Sequence, residues 1–219
     1  MHAIAVSQRG HGDSDKPDDG YRVEDFAADV VPLLDACKIE RAILVGHSGS
    51  CLVARRVALD HPERIIGLVL EASPRTLRGN ARLIEFIDEI GRDLHDPISL
   101  EFARSFITDT SSAGVQSDLV DLLVEDVLKV PAHVWHRTFS GLLQYDDTAE
   151  LTRIRARTLL IWGDADSLVS RDTQDELLQA MPAAELLVYR DAGHTPRWED
   201  PARFSSDLAG FVRGLREGR

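Results

Sequence analysis

The chain has 219 residues, 43% of them hydrophobic and 28% charged, with 25 Lys and Arg against 37 Asp and Glu for a formal net charge of −12. That length suits one domain, with room for an inserted subdomain, and is long enough to bury a large core. The acidic balance argues against sequence-independent binding to nucleic acid or to an anionic membrane, both of which want a cationic face.

Cys37 and Cys51 are the only cysteines, too few for a disulfide framework or a four-ligand zinc site. Reduced thiols in a cytosolic protein are the reading they support. No apolar run approaches the ~20 residues of a membrane span. The opening "MHAIAVSQRGHG" lacks the basic start and apolar stretch of a signal peptide. The expectation is a cytoplasmic protein with no membrane partner.

In chain order, "AIAVS" (3–7) is the first β-like run. Phe26, Val30, Leu33, Leu34 and Cys37 then fall on one helical face, with Pro32 expected to kink that helix or delay its start. "AILVG" (42–46) is a second strand and 50–60 a helix; "IIGLVLE" (65–71) is a third strand. Residues 79–150 contain no clear strand. "ARLIEFIDEI", "PISLEFARSFI", "QSDLVDLLVEDVLKV" and "PAHVWHRTFSGLLQY" each carry apolar residues at helical spacing. "TLLIWG" (158–163) and "ELLVY" (185–189) are the last strands, with helices at 172–180 and 202–216. Asp200 is suited to N-cap the final helix and Pro201 to its first position.

Most of these strands are continuous apolar runs, as expected of strands buried on both faces of a parallel sheet. The fold class is therefore α/β: a mainly parallel sheet with helices on both faces, residues 1–78 and 151–219 forming the core and 79–150 a helical cap.

The sharpest local feature is Gly46-His47-Ser48-Gly49-Ser50, where an apolar strand ends and a helix begins at once. This is close to the G-x-S-x-G nucleophile elbow, with serine in place of the last glycine. Small flanking residues let strand and helix backbones approach, and the helix N-terminus favours a developing oxyanion. Serine needs a general base, and the base an orienting carboxylate. Asp166 follows the strand 158–163 and His194 follows the strand 185–189, in the order Ser…Asp…His that goes with this elbow.

On "SQRGHGDSDKP", "LVGHSGS", "TLLIWGDADSLV" and "AGHTPRWEDPARF", the chain resembles the α/β-hydrolase superfamily over nearly its whole length, near the esterase and lactone-hydrolase branches. The resemblance implies Ser48 as nucleophile, His194 as base, Asp166 as acid and the Gly49 amide as an oxyanion donor. Glu71, at the end of "IIGLVLE", is an alternative acid, because some members carry theirs after that strand; Asp164 is a nearer rival. His47 is read as packing or lining, and His47, Trp135, Phe139 and Trp198 are candidate pocket residues. "HVWH" (133–136) has no acid or cysteine cluster nearby that would make it a metal site.

The expected activity is cleavage of a small or medium ester, lactone or thioester with no metal or organic cofactor. The alternatives are C–C bond hydrolysis or cofactor-free perhydrolysis with the same triad, or a low-turnover binding protein on this fold. "AIAVS" matches the superfamily's fourth strand, so the earlier strands, with the His-Gly loop that completes the oxyanion hole, are not found. Three arrangements follow for residues 3–7: they pair with 42–46, they leave a gap, or a second copy fills it in a homodimer. The expectation is weak or no esterase activity for the chain alone.

Overall fold

The computed structural model describes residues 2–111 and 114–217. Residues 1, 112, 113, 218 and 219 of the expected core and cap lie outside the described residues. Two compact units emerge. One joins the residues up to Phe26 with Leu77–Asp146; the other joins Ala27–Thr76 with the chain from Asp147 onward. This division differs from the expected one chiefly in grouping residues up to Phe26 with the helical insertion.

The second unit contains the sheet. Among the described residues it has four parallel strands, β1 (Ala42–His47), β2 (Ile65–Glu71), β3 (Arg157–Gly163) and β4 (Ala184–Tyr189), in spatial order β1-β2-β3-β4. Helix α1 (Val23–Ala36) precedes β1 and runs through Pro32. Helix α2 (Gly49–Asp60) links β1 to β2, and α7 (Arg171–Ala180) links β3 to β4. Short α8 (Pro196–Glu199) and long α9 (Pro201–Glu217) follow β4. Asp200 caps α9, its Oδ1 accepting from the Arg203 amide at 3.1 Å.

β2 and β3 are buried nearly throughout, as their unbroken apolar runs require. On one face, Val69, Leu159 and Ile161 pack with Tyr189, Ala192, Phe211 and Leu215. Gly67 is needed there: a Cβ would come within 2.8 Å of the Leu215 side chain and 3.2 Å of the Arg157 carbonyl. The alternate residues Leu68 and Leu70 are fully buried as well. Each such side chain contributes about 1.5–3 kcal/mol.

Residues 3–7 correct the sequence reading, because they form no strand. Ile4 is 47% and Val6 52% exposed, and β1 has its only ladder, among the described residues, with β2. The pairing of 3–7 with 42–46 does not occur. A β-like run of five residues can favour a strand, but a strand exists only where a neighbour accepts its hydrogen bonds.

A buried ion pair fixes where the chain leaves and re-enters this unit. Arg55, on α2, is fully buried and donates Nε to Asp147 Oδ2 at 3.0 Å and Nη2 to Asp147 Oδ1 at 2.6 Å. The same guanidinium donates to the carbonyls of Pro74 at 2.9 Å and Arg75 at 3.0 Å. Five donors in a rigid fork suit this junction.

The first unit holds α3 (Ala81–Asp93), α4 (Leu100–Asp109), α5 (Ser117–Leu128) and α6 (Ala132–Gln144), the four helices expected between β2 and β3. Asn80 and Ser99 cap α3 and α4. Phe86, Phe102, Phe106, Trp135 and Phe139 form one ring cluster, with centroid separations from 4.6 Å for Phe106–Trp135 to 6.4 Å for Phe102–Phe106.

Candidate active site

Of the residues singled out in sequence, His47, Ser48, Glu71, Asp166 and His194 lie at or just past the carboxyl ends of the parallel strands. β1 ends at His47, and Ser48 turns the chain into α2 with φ 50° and ψ −122°. A positive φ in a non-glycine residue stores about 1–3 kcal/mol and persists only where the surroundings fix it. Gly46 makes the turn feasible: a Cβ there would lie 2.8 Å from the Ser50 carbonyl oxygen and 2.9 Å from the Cys51 nitrogen. The Ser48 amide donates to the Glu71 carbonyl at 2.9 Å, and the Cys51 amide donates to the Ser48 carbonyl at 3.0 Å. The Ser48 hydroxyl does not cap α2. Gly49 opens that helix, where first-turn amides have no intrahelical acceptor.

Asp166 sits in the loop after β3 with its side chain fully buried. Its Oδ1 accepts from the amides of Leu168 at 2.8 Å and Val169 at 3.0 Å, and its Oδ2 meets His194 Nδ1 at 2.8 Å. One oxygen is thus held by its own loop while the other orients the imidazole. Asp164, the nearer rival, accepts from the Asp191 amide at 2.7 Å and shapes the turn after β4.

His194 is buried, 7% exposed, in a loop gripped at several points. Glu199 accepts from the Gly193 amide at 2.7 Å through Oε2, and from the Thr195 amide at 3.1 Å and hydroxyl at 3.0 Å through Oε1. Gly163, at the end of β3, lets this loop close in, since a Cβ there would collide with the carbonyls of Ala192 and Gly193. His47 donates Nε2–H to the His194 carbonyl at 2.9 Å, with the two rings 4.8 Å apart. Burial, then the nearby Arg197 and His194, hold the His47 imidazole well below its ordinary pKa, so it is neutral.

Glu71 is fully buried and bound to Arg197: Oε1 accepts from the Arg197 amide and Oε2 from Nη1, both at 2.7 Å. Burial raises the carboxyl above its usual range while Arg197 pulls it back. Cys51 lies beside it, its thiol pushed up to about 12 by burial. Trp198 stacks under the Arg197 guanidinium, 3.9 Å from the ring centroid. Trp135 and Phe139 belong to the aromatic cluster of the helical unit, where the Trp135 indole donates to the Val130 carbonyl at 3.2 Å.

Sequence reasoning missed Arg197 and Glu199. Both lie within five residues of His194, so a search for charged residues beside the base would have found them. Among the described residues no group of three or more His, Cys, Asp or Glu side chains is arranged to hold a metal ion, and His133 of "HVWH" binds the Pro17 carbonyl at 3.1 Å.

Residues 1–207 match the Alpha/beta hydrolase family. The chain belongs to that family. It is 26% identical over 223 residues to a non-heme chloroperoxidase of Streptomyces lividans, covering 96% of this chain and 81% of that protein. It is 30% identical over 224 residues to the 2-hydroxy-6-oxononadienedioate/2-hydroxy-6-oxononatrienedioate hydrolase of Burkholderia vietnamiensis, covering 96% and 76%. Among solved structures, Est816, an N-acyl homoserine lactone degrading enzyme, superposes with a TM-score of 0.78 at 29% identity, covering 93% and 80%. The chain is thus a hydrolase-family protein on the α/β-hydrolase fold, and none of its described helices is long and apolar enough to cross a membrane.

Proposed function

We propose that the protein is a serine hydrolase that cleaves a small or medium carboxylic ester, lactone or thioester through an acyl-enzyme on Ser48. The observation that carries this reading is the 2.8 Å contact between buried Asp166 and His194 Nδ1, which leaves His194 Nε2 as the basic nitrogen of the tautomer. Ser48 Oγ attacks the substrate carbonyl carbon while its proton passes to Nε2. The oxyanion forms against the start of α2, where the Gly49 amide donates. The carbon–oxygen or carbon–sulfur bond to the leaving group breaks, and that group takes the proton from His194. Water then attacks the acyl carbon, gives its proton to His194 and releases the acid, and Ser48 regains its proton.

The similarity to Est816 supports a lactone or ester. The 30% identity to the Burkholderia hydrolase favours a second reading, C–C bond hydrolysis with the same three residues, and that to the chloroperoxidase favours cofactor-free perhydrolysis. A fluorophosphonate probe tests the common core: it is expected to add one phosphonyl group to the chain and none to Ser48→Ala. Equal labelling of both removes Ser48 from the mechanism. A panel of p-nitrophenyl esters and lactones against a vinylogous diketone then separates ester from C–C cleavage.

A further inference from the structure

Glu71 is hydrogen-bonded both to the Ser48 turn and to the segment that carries His194. At the end of β2 it stands opposite His47 of β1 on one side and Ile161 of β3 on the other. Its carbonyl accepts from the Ser48 amide at 2.9 Å and from the Cys51 thiol at 3.4 Å. Its carboxylate accepts from the amide and the guanidinium of Arg197, three residues beyond His194. The backbone turns sharply just past it, Ala72 having φ 49° and its amide bound to the Ile161 carbonyl at 2.8 Å, so the residue cannot slide along the strand.

We propose that Glu71 is a positioning residue, a strut that sets the spacing between the Ser48 turn and the His194 loop, rather than an alternative acid. This rests on reading Ser48 and His194 as nucleophile and base. Both carboxylate oxygens are occupied by Arg197, and the His194 nitrogen that an acid would serve is taken by Asp166. The strut works with the His47–His194 bond: adjacent strand ends each hold one point of the same loop, His47 at residue 194 and Glu71 at residue 197. Taking a carboxylate such as Glu71 out of water roughly cancels what its guanidinium partner returns, so the pair's contribution is one of direction. Asp166 fixes the rotation of the imidazole, and Glu71 fixes the distance of its loop from Ser48.

The test compares wild type, Glu71→Gln and the double variant Glu71→Leu/Arg197→Met on a p-nitrophenyl ester and with the fluorophosphonate. The double variant removes both ends of the strut without stranding a buried charge. Its kcat is expected to fall by roughly 10²-fold, the scale set by about 1 Å of misplacement, with KM within about threefold of wild type and labelling slowed in parallel. Glu71→Gln keeps an oxygen acceptor for Arg197 and is expected to restore most of that loss. A folded double variant with wild-type kcat overturns the proposal, as does a loss confined to KM or a Gln variant no better than the double. Should the double variant not fold, Arg197→Met replaces it. That change cuts one of the two bonds at a side chain 24% exposed, and unchanged kcat there overturns the strut. Failure of the underlying reading looks different: wild type itself is then not labelled at Ser48.

Discussion

Both compact units are packed on apolar side chains, but they differ in whether charged groups are buried with them. In the sheet-bearing unit, carboxylates are buried and paired: Asp147 with Arg55, both side chains 0% exposed, and Glu71, 0% exposed, with the half-buried Arg197. In the helical unit the ion pairs lie at the surface, as for Arg104 and Asp121 with side chains 51% and 61% exposed, and packing centres on five aromatic rings. Aromatic packing tolerates small displacements, whereas a buried hydrogen-bonded charge has one good geometry. Chemistry that needs atoms fixed to fractions of an ångström belongs in the first kind of unit, and every residue of the proposed triad is there.

The largest effect expected from breaking this contrast is kinetic. Asp166→Asn leaves the loop bonds to Leu168 and Val169 an acceptor but presents the wrong partner to His194 Nδ1. Loss of the tautomer-fixing carboxylate is expected to lower kcat by about 10⁴-fold with little change in melting temperature. Steady-state kinetics on the best ester check this, and a loss under about tenfold would take the acid role from Asp166.

Next in size are the packing tests, one for each unit. Arg55→Met strands the buried Asp147 carboxylate and is expected to cost about 3–5 kcal/mol in urea unfolding. Adding Asp147→Leu removes the orphaned charge and is expected to recover most of that cost. In the helical unit, Phe106 meets Phe86, Phe102, Trp135 and Phe139. Phe106→Leu keeps an apolar side chain and loses ring pairing, for an expected cost of about 0.5–1.5 kcal/mol. Equal costs for Arg55→Met and Phe106→Leu would erase the distinction between the units.

The same contrast explains what could be read from the sequence. Strands at 65–71 and 158–163 were legible because buried parallel strands are continuous apolar runs, and the structure places β2 and β3 within a residue of them. The elbow was legible because Gly46 and Gly49 bracket Ser48. "AIAVS" has the same local character but pairs with no strand among the described residues, and pairing is a property of the sheet that a run of five residues does not carry. Glu71 was visible as a strand end and as a possible acid. Its actual partner, Arg197, lies 126 positions away, beyond any local pattern.

The smallest predicted effect compares one half-buried histidine from each unit. His47 is held well below its ordinary pKa by burial, with the neighbouring Arg197 and His194 adding to it. His11, in the other unit, is lowered by burial and by Lys16, while its contact with the Arg9 carbonyl works against the shift. For both, the folded pKa is below the unfolded value of 6.5, so the unfolded chain binds more protons as pH falls. Stability is therefore full above that value and declines as pH drops through 6.5 toward the folded pKa. For His47, protonation also places a cation beside Arg197. One histidine that stays neutral in the folded state costs at most about 0.7 kcal/mol between pH 7 and pH 6. Glu71, raised rather than lowered, acts with the opposite sign. Urea midpoints at pH 7 and pH 6 are expected to converge in His47→Gln, whose amide can still donate to the His194 carbonyl. They are expected to converge less in His11→Gln, where the opposing carbonyl leaves a smaller shift to remove. A larger flattening in His11→Gln would put the stronger electrostatic constraint in the helical unit and reverse the comparison.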